Sequence, residues 1–425
     1  FHDDFKISPN MTINVGVRWE YFTPLRDPQD RLSRYLDLNA PISEFQGANA
    51  PQMPAQVAAL RSSATVYNGS CVVTDPTNRG SWNAPKNLFM PRVGMAWRLN
   101  DQTALRVGWA RYIIPAPLVD GLNILGSVPY PGFDANSTTI QPLVGVPQQT
   151  LANPYPGGLV PVTGKTYGQY TGLGGSTTWY QQDFTPGVND RFNVSLQRQL
   201  PAKILADITF FVNTGRNQQF NWDRNQIDPR IGFAAQNAIN ASVPNPFFNV
   251  LPVEKFPGQL RTQRNVAVRE LLRPYPQYGS LVETLIGGRN TKYAALQMQF
   301  QRPFQNGFNL VVGYNYNRER NQEFFDEVDN FTRSFTWQPA QNARHRITGA
   351  SIYELPFGRG RRFMADAHPL ADAILGGWST SVLFTYNTGL FLRFPGALAT
   401  GDPTIDNPTR DRWFVQNRYR FGLTD

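Results

Sequence analysis

Few residues in this sequence of 425 residues have the types and spacing that catalysis or metal binding requires. It contains three histidines, His2, His345 and His368, and one cysteine, Cys71. A single cysteine excludes a disulfide framework and any site with several cysteine ligands. Neither His345 nor His368 belongs to a motif that would activate a nucleophile. We therefore predict no catalytic residues, no metal centre and no cofactor.

The densest run of carboxylates consists of Glu319, Glu323, Asp326, Glu327 and Asp329. A calcium site needs several oxygen ligands at close spacing, as in the order Asp-x-Asp-x-Asp-Gly. The run lacks that order. We interpret it as a solvated loop, with a cation site as the alternative.

The chain carries 40 Lys and Arg against 31 Asp and Glu, a net charge of +9. A basic chain suggests nucleic-acid binding when its cations form a patch or a stripe. Here they are scattered, and the densest group is Arg359, Arg361 and Arg362, which we interpret as a solvated turn. We therefore predict no nucleic-acid partner.

Five charged residues remain as candidates for a role in binding or passage: Arg18, Glu20, Arg92, Arg98 and Arg106. Their neighbours in sequence are mostly apolar, and such alternation is typical of a β-strand with two different faces. In a closed barrel these side chains would line the passage or contact a plug. The alternative is that they are only hydrated residues of the wall.

The elements that hold these residues are predicted from period-two alternation. Between residues 13 and 21, one face reads Ile, Val, Val, Trp and Tyr, and the other reads Asn, Gly, Arg and Glu. The same alternation recurs in other segments. The strands at 1–8 and 344–355 are predicted only from their place in the chain relative to the other strands. Together with 13–21, the predicted segments number about ten: 1–8, 92–99, 104–112, 192–200, 204–213, 296–301, 308–317, 344–355 and 378–387.

Aromatic residues often end the apolar faces: Trp19, Tyr21, Trp97, Trp109, Tyr314, Tyr316, Trp378 and Tyr386. Transmembrane barrels carry such aromatic girdles at both membrane interfaces. Several strands also approach the 9–11 residues that cross a bilayer. The apolar face is therefore predicted to contact outer-membrane lipid.

Connections between the predicted strands alternate in length. The short ones are 9–10, 100–102, 201–203 and 303–307, and the long ones are 24–86, 114–188, 214–290 and 319–343. Antiparallel strands place successive connections at opposite ends of the sheet, so all the short connections lie at one end and all the long ones at the other. Outer-membrane barrels have this arrangement, with short periplasmic turns and long extracellular loops. The connection 356–377 is an exception, because it is long although it lies at the end with the short turns. Within it, 369–377 is compatible with a helical turn that ends at glycine. The long loops are polar and rich in Gly and Pro, and we interpret them as partly ordered surface coverage.

These patterns predict an all-β chain, part of an antiparallel transmembrane β-barrel with long extracellular loops. The alternative is a secreted soluble β-sandwich or propeller with carbohydrate-binding loops, which needs the apolar faces turned inward. A third hypothesis, a β-rich glycosidase, needs two carboxylates about 5–10 Å apart in a cleft.

Several segments carry a family resemblance, in the same order along the chain. They include 3–6 (Asp-Asp-Phe-Lys), 15–21 (Val-Gly-Val-Arg-Trp-Glu-Tyr), 193–198 (Asn-Val-Ser-Leu-Gln-Arg), 353–360 (Tyr-Glu-Leu-Pro-Phe-Gly-Arg-Gly) and 376–378 (Gly-Gly-Trp). In these the chain resembles TonB-dependent outer-membrane receptors, and more narrowly their Oar-like group.

The resemblance implies a barrel of about 22 strands with a plug inside. It also implies a carboxypeptidase-regulatory-like domain and a TonB box, and we expect these and the plug to belong to an N-terminal part outside these residues. The implied partners are outer-membrane lipid, the TonB complex, and an unknown solute or cargo. The implied function is energised uptake or export across the outer membrane of a bacterium.

The chain begins at Phe1, and we expect it to be a fragment holding roughly ten strands of a larger barrel. Two open sheet edges would leave backbone groups unpaired, which lipid does not tolerate. Expressed alone, the 425 residues are therefore expected to aggregate or to fail to insert, as measured by fractionation of vesicles after refolding. Stable insertion as a monomer would contradict this expectation.

Overall fold

The structure is a computed structural model that describes residues 1–61, 63–115, 131–132, 144–147, 149–324, 327–390, 397–399, 405–412 and 419–421. Its main element is an antiparallel sheet in which ten strands pair in chain order, which confirms the predicted barrel wall. The ten strands are β1 (His2–Ser8), β2 (Met11–Glu20), β3 (Leu88–Asn100), β4 (Thr103–Ile113), β5 (Val188–Leu200), β6 (Ile204–Asp223), β7 (Leu281–Gln305), β8 (Phe308–Glu323), β9 (His345–Glu354) and β10 (Ser379–Asn387).

Shorter elements lie in the connections. Thr177–Tyr180 pairs in parallel with β7, and Thr336–Pro339 pairs antiparallel with β8. Three small antiparallel pairs are Ser33–Pro41 with Asn68–Val73, Ser242–Pro244 with Asn265–Ala267, and Ala397–Ala399 with Tyr419–Phe421. The α-helices are α1 (Ala55–Leu60), α2 (Pro229–Ala235), α3 (Val268–Leu271), α4 (Glu327–Thr332) and α5 (Pro369–Leu375). Short 3-10 helices span Ser43–Phe45, Gly47–Asn49, Gly168–Tyr170, Pro201–Lys203, Gln236–Asn240 and Gln259–Arg261. Among the described residues, no helix is both long enough and apolar enough to span a membrane.

The tight turns all lie at one end of the sheet, the turn end. They are residues 9–10, 101–102, 201–203 and 306–307. The turn predicted at 303–307 is shorter than expected, because β7 continues to Gln305. Asn306 and Gly307 both have positive φ, 54° and 73°, which matches the twist of a two-residue hairpin turn.

The opposite end, the loop end, carries the long connections 21–87, 114–187, 224–280 and 324–344. The loop predicted at 214–290 is wrong at both limits, because β6 extends to Asp223 and β7 starts at Leu281. The register of this pair shifts repeatedly between Glu283 and Thr291, so the alternation that reveals a strand is broken there. With 20 and 25 residues, β6 and β7 exceed the length that crosses a bilayer and project beyond it.

The apolar face of β2 remains exposed. Val15, Val17 and Trp19 keep 40%, 37% and 53% of their surface. A sandwich or propeller would bury this face against a second sheet. That alternative is therefore wrong, and the exposed apolar side chains form the outer wall.

Charged residues mark the limits of the apolar band on β5. Asp190 and Arg198 share the outer face with Phe192, Val194 and Leu196, which lie between them. Eight residues of strand span about 26 Å. The apolar band of a transmembrane barrel is about 25 Å tall and its strands tilt by about 35–45°, so this segment covers about 20 Å of that height. The spacing therefore accounts for most of one membrane crossing.

The predicted girdle residues lie toward both ends of the strand pairing. Those toward the loop end are Trp19, Tyr21, Trp109, Tyr314, Tyr316 and Tyr386. Those toward the turn end are Trp97 and Trp378. Their placement at membrane interfaces stays a prediction.

The first three long loops share one hydrophobic core, and we call this assembly the loop cap. Phe45 of the first loop packs against Phe247 and Phe256 of the third, with ring centroids 5.8 and 5.9 Å apart. Leu173 and Trp179 of the second loop belong to the same buried cluster. The described parts of these loops are thus more ordered than the partial surface coverage that their composition suggests.

Hydrogen bonds also cross between the loops. Arg61 Nη1 donates to the carbonyl of Leu271 at 2.7 Å, and Tyr278 Oη donates to the carbonyl of Gly69, also at 2.7 Å. Gly69 has φ +129°, and a Cβ there would lie 2.8 Å from the Tyr278 ring. The close approach of the two loops at this point therefore requires glycine.

One carboxylate joins all three loops of the cap. Glu44 accepts hydrogen bonds from Tyr170 of the second loop and, at 3.0 Å, from Lys255 of the third. Desolvation opposes its ionisation, but the bonds from Tyr170, Lys255 and Ser43 outweigh it and lower the pKa of Glu44 to about 2. The ionised form therefore stabilises the cap.

The outer wall predicts a face-specific effect of charge. Leu296 of β7 lies on the outer face between Phe210 and Tyr316, and Gln297 lies on the other face between Thr209 and Asn315. Leu296→Arg is expected to destabilise the inserted protein by about 2–4 kcal/mol, because it places a cation in lipid. The matched Gln297→Arg is expected to have little effect. Urea unfolding in phospholipid vesicles measures both, and equal losses would contradict the assignment of faces.

Glu44 predicts a pH dependence of the loop cap. Because its pKa is lower in the folded protein, its contribution is complete above pH 4.5 and is lost as the pH falls toward 2. Glu44→Gln is expected to destabilise the cap by about 1–2 kcal/mol at pH 7, and the difference should vanish near pH 2. Intrinsic fluorescence during unfolding measures it. The exposed Glu254→Gln is the control, and a penalty that is independent of pH would refute the role of ionised Glu44.

Candidate functional site

The polar faces of the strands form one continuous surface, the inner wall. Register places polar side chains of neighbouring strands side by side. One such row runs through Thr12, Ala96, Arg106, Ser195, Thr209, Gln297, Asn315 and Arg346. A hydrated lumen requires this kind of wall, whereas lipid would not tolerate it.

All five predicted site residues, Arg18, Glu20, Arg92, Arg98 and Arg106, lie on the inner wall, but the structure does not bring them into one cluster. Arg18 forms an ion pair with Glu20 near the loop end. Near the turn end, Arg98 Nη2 donates to Asn10 Oδ1 at 2.7 Å. Arg18 pairs with Met90, eight residues before Arg98 on β3, so the two arginines are about 26 Å apart along the strand.

Arg106 and Arg92 occupy the middle of the wall. Arg106 Nη1 donates to Gln197 Oε1 at 3.1 Å. Arg92 lines a cavity of about 420 Å³ together with Asn14, Arg191 and Asn193. A role for any of the five in passage or plug contact stays a prediction.

The inner wall also holds residues that the sequence did not single out. Asn14, Gly94, Gly108 and Asn193 follow one another across β2 to β5. A Cβ at Gly108 would lie 2.8 Å from Asn193 Oδ1, so the glycine makes room for the asparagine. The sequence contained a faint signal, since glycine occurs on the polar faces of β2, β3 and β4, but it did not show the register that places Gly94 opposite Gly108.

A second cavity of about 390 Å³ lies further along the wall. Asp207 is its carboxylate, and it accepts hydrogen bonds from Ser195 at 3.0 Å and Thr209 at 2.9 Å. Gln299 and Arg346 line the same cavity. The wall therefore presents hydrogen-bonding groups at two depressions and not at a single pocket.

Among the described residues of the loop cap lies a groove of about 620 Å³, which we call the cap groove. It joins the loop ends of β6 and β7 with segments of all three loops of the cap. Its lining is Arg34, Tyr35, Leu36, Asp37, Leu38, Asn39, Asn83, Trp179, Gln181, Gln182, Asp183, Trp222, Arg224, Tyr275 and Glu283. Polar groups and flat aromatic rings thus share one opening.

Arg34 is the least expected member of the cap groove, because it is only 5% exposed. Its Nη2 donates to Asn83 Oδ1 at 3.2 Å, and Asn83 in turn donates to Asp183 at 2.6 Å. Its Nε has no hydrogen-bond partner among the described residues. Burial lowers the pKa of Arg34, against the attraction of Tyr35, Asp75 and Asp183. Arg34 therefore contributes a positive charge that is held in a fixed position in the lining of the cap groove.

The other wall of the cap groove is fixed by Arg224. Its Nε donates to Glu283 Oε2 at 2.6 Å, and its guanidinium lies 3.9 Å from the centroid of the Trp222 ring. Ion pairing and stacking hold both side chains in place. Arg333 also lies 4.6 Å from the centroid of the Trp222 ring, so this wall offers a fixed aromatic ring with guanidinium groups stacked on it.

No feature of the sequence indicated the cap groove. Arg34, Asp183 and Glu283 come from three segments of the chain, and isolated charges in polar loops carry no local pattern. These charged residues lie close together because the loops share one core, in which Leu36 and Trp179 belong to the same buried cluster.

The acidic run is only partly described by the structure. Asp326 and the side chain of Glu327 lie outside the described residues. Glu323 pairs with Arg289 at 3.0 Å, and Glu319 accepts from Asn342. Within the described ranges, no group of three His, Cys, Asp or Glu could hold a metal ion.

Similar folds are found among solved structures. The siderophore receptor PirA from Pseudomonas aeruginosa is 7% identical over 92% of this chain and 36% of that chain, with a TM-score of 0.35. The alcaligin outer membrane receptor FauA from Bordetella pertussis is 11% identical over 83% of this chain and 33% of that chain, with a TM-score of 0.30. The hemophore receptor HasR from Serratia marcescens, in complex with its hemophore HasA and heme, is 10% identical over 81% of this chain and 39% of that chain, with a TM-score of 0.37.

The chain spans between 25% and 39% of the length of these and similar structures. No curated protein sequence matches it. Residues 1–419 match the outer membrane beta barrel domain. This match covers nearly the whole chain, agrees with the two-faced sheet, and places the protein in the bacterial outer membrane. The chain belongs to the outer membrane beta barrel domain family.

Proposed function

We propose that the chain is part of the barrel of a TonB-dependent receptor of the Oar-like group, which moves an unidentified solute across the outer membrane. The motifs at 15–21, 353–360 and 376–378 support this narrower assignment. The TonB complex and the plug would act through parts of the protein other than these residues. The proposed transport is either uptake into the cell or export from it.

The cap groove is the observation that carries the proposal. It opens where the loops meet the loop ends of β6 and β7, on the side from which an external solute arrives. Preformed concave sites that combine aromatic rings with a few fixed polar groups are typical of ligand binding. Trp222 and Arg34 supply these two components.

The inner wall supports the proposed movement of a solute through the barrel. Its depressions beside Arg92 and Asp207 are lined by side chains that can exchange hydrogen bonds with water, a plug or a passing solute. Glycines at the centre of the wall keep the side chains there short. The wall can therefore accept a folded plug or let a polar solute pass.

A matched pair of tryptophan variants tests solute binding. The full-length receptor is purified in detergent, incubated with spent growth medium of its host, and its bound small molecules are identified by mass spectrometry. Trp222→Ala is expected to weaken binding of the retained solute by roughly tenfold or more, since it removes a central aromatic contact. Trp337→Ala removes a tryptophan that contacts Lys292 and Arg320 outside the cap groove, and it should bind as the wild type does.

Energy coupling is tested in cells with the solute so identified. The amount of this solute that crosses the outer membrane should depend on the host's TonB and on Trp222. Equal retention by wild type and Trp222→Ala would refute the cap groove as the binding site. Movement of the solute that is unchanged without TonB would refute the proposed class of receptor.

A further inference from the structure

One connection at the turn end differs from all others. Residues 355–378 join β9 to β10, whereas the other connections at this end have two or three residues. The helix predicted near 369–377 is confirmed as α5, which ends before Gly376. We call residues 355–378 the turn-end arm.

The helix α5 has an apolar face that water would contact. Leu370 and Ile374, one turn apart, are 72% and 68% exposed. The opposite side is held to the arm, because Asp372 Oδ1 accepts from the backbone N–H of Arg359 at 2.7 Å. A soluble helix normally buries such a face.

This apolar face continues into the outer wall. Trp378 Nε1 donates to the carbonyl of Ile374 at 2.8 Å, which ties the end of α5 to the start of β10. Trp378 is 61% exposed, and it shares its face with Val382 and Phe384 of β10. Leu370, Ile374 and Trp378 therefore extend the lipid-facing surface past the end of the strand.

The same arm contains the densest basic cluster of the chain. Arg361 pairs with Glu354 at 2.9 Å. Arg359 and Arg362 form no ion pair within the described residues, and Arg362 stacks over Phe363 at 5.6 Å. These two cations are exposed, as expected of a solvated turn, and the backbone of Arg359 holds them on the side of α5 opposite its apolar face.

An exposed apolar stripe with arginines on the opposite, polar side is the pattern of a segment that lies in a membrane interface. Apolar side chains enter the acyl region, while arginines reach the phosphates of the headgroups. The arm also lies at the level where the outer wall meets water. Its continuity with the wall and its charge favour lipid over a protein as the occupant of this face.

We propose that the turn-end arm is an interfacial anchor, with Leu370, Ile374 and Trp378 inserted in the phospholipid leaflet at the turn end and Arg359 and Arg362 bound to headgroup phosphates. It would fix the height of the barrel in the membrane at this point. Neither the strand pattern nor solute transport requires such a device.

Spin labels test the insertion of the arm. Ile374→Cys and Asp366→Cys are introduced separately into the full-length protein in vesicles of phosphatidylethanolamine and phosphatidylglycerol. Burial raises the pKa of Cys71 to about 12, so the label reacts at the introduced cysteine. The label at 374 is expected to collide more with oxygen than with a water-soluble nickel chelate, and the label at 366 the reverse. Equal nickel access at both positions, or shielding of 374 from both reagents as under a protein partner, would overturn the proposal.

Lipid retention tests the arginines. The double variant Arg359→Gln/Arg362→Gln is expected to weaken phosphatidylglycerol binding, measured by native mass spectrometry, by roughly fivefold per arginine. Arg264→Gln is the matched control, because Arg264 also stacks on a phenylalanine, Phe248 at 5.0 Å, but in the loop cap. Retention equal to that of wild type in the double variant would refute headgroup binding.

Discussion

The structure depends on one constraint, that backbone N–H and C=O groups in lipid must bond to neighbouring strands. The pairing of β4 with β5 shows it, since the register runs without a shift from Thr103 opposite Arg198 to Ile113 opposite Val188. An unbroken register preserves the alternation of side chains, because a slip of one residue would exchange the two faces. The outer and inner walls therefore follow from the same hydrogen bonds.

Outside the membrane this constraint no longer applies, and the chain behaves differently. β6 and β7 contain register shifts beyond the bilayer, and the loops bury aromatic residues such as Phe45 and Phe247. Water makes burial of these rings favourable, whereas the outer wall leaves Trp19 and Val15 exposed because lipid surrounds them. Apolar residues are thus exposed to lipid on the outer wall and buried away from water in the loops.

The sequence predicted what local alternation encodes. Period two, which needs only neighbouring residues, located eight of the ten strands and placed Arg18, Arg92 and Arg106 on their polar faces, whereas the strands at 1–8 and 344–355 were predicted from position alone. It could not align the strands with each other, so it did not show that Arg18 and Arg98 lie far apart. It also missed the cap groove, since contacts such as Arg61 with Leu271 join residues 210 positions apart. Such contacts leave no periodic trace in either segment.

The shared core of the loop cap also bears on how the cell's outer face can diversify. Phe45 contacts partners in the third loop, and Tyr170 of the second loop binds Glu44 of the first. A recombination event that imports a single loop from a related barrel would separate these partners. Exchange of the three loops as a set would keep them together. The surface that a phage or an antibody meets is thereby inherited as one block.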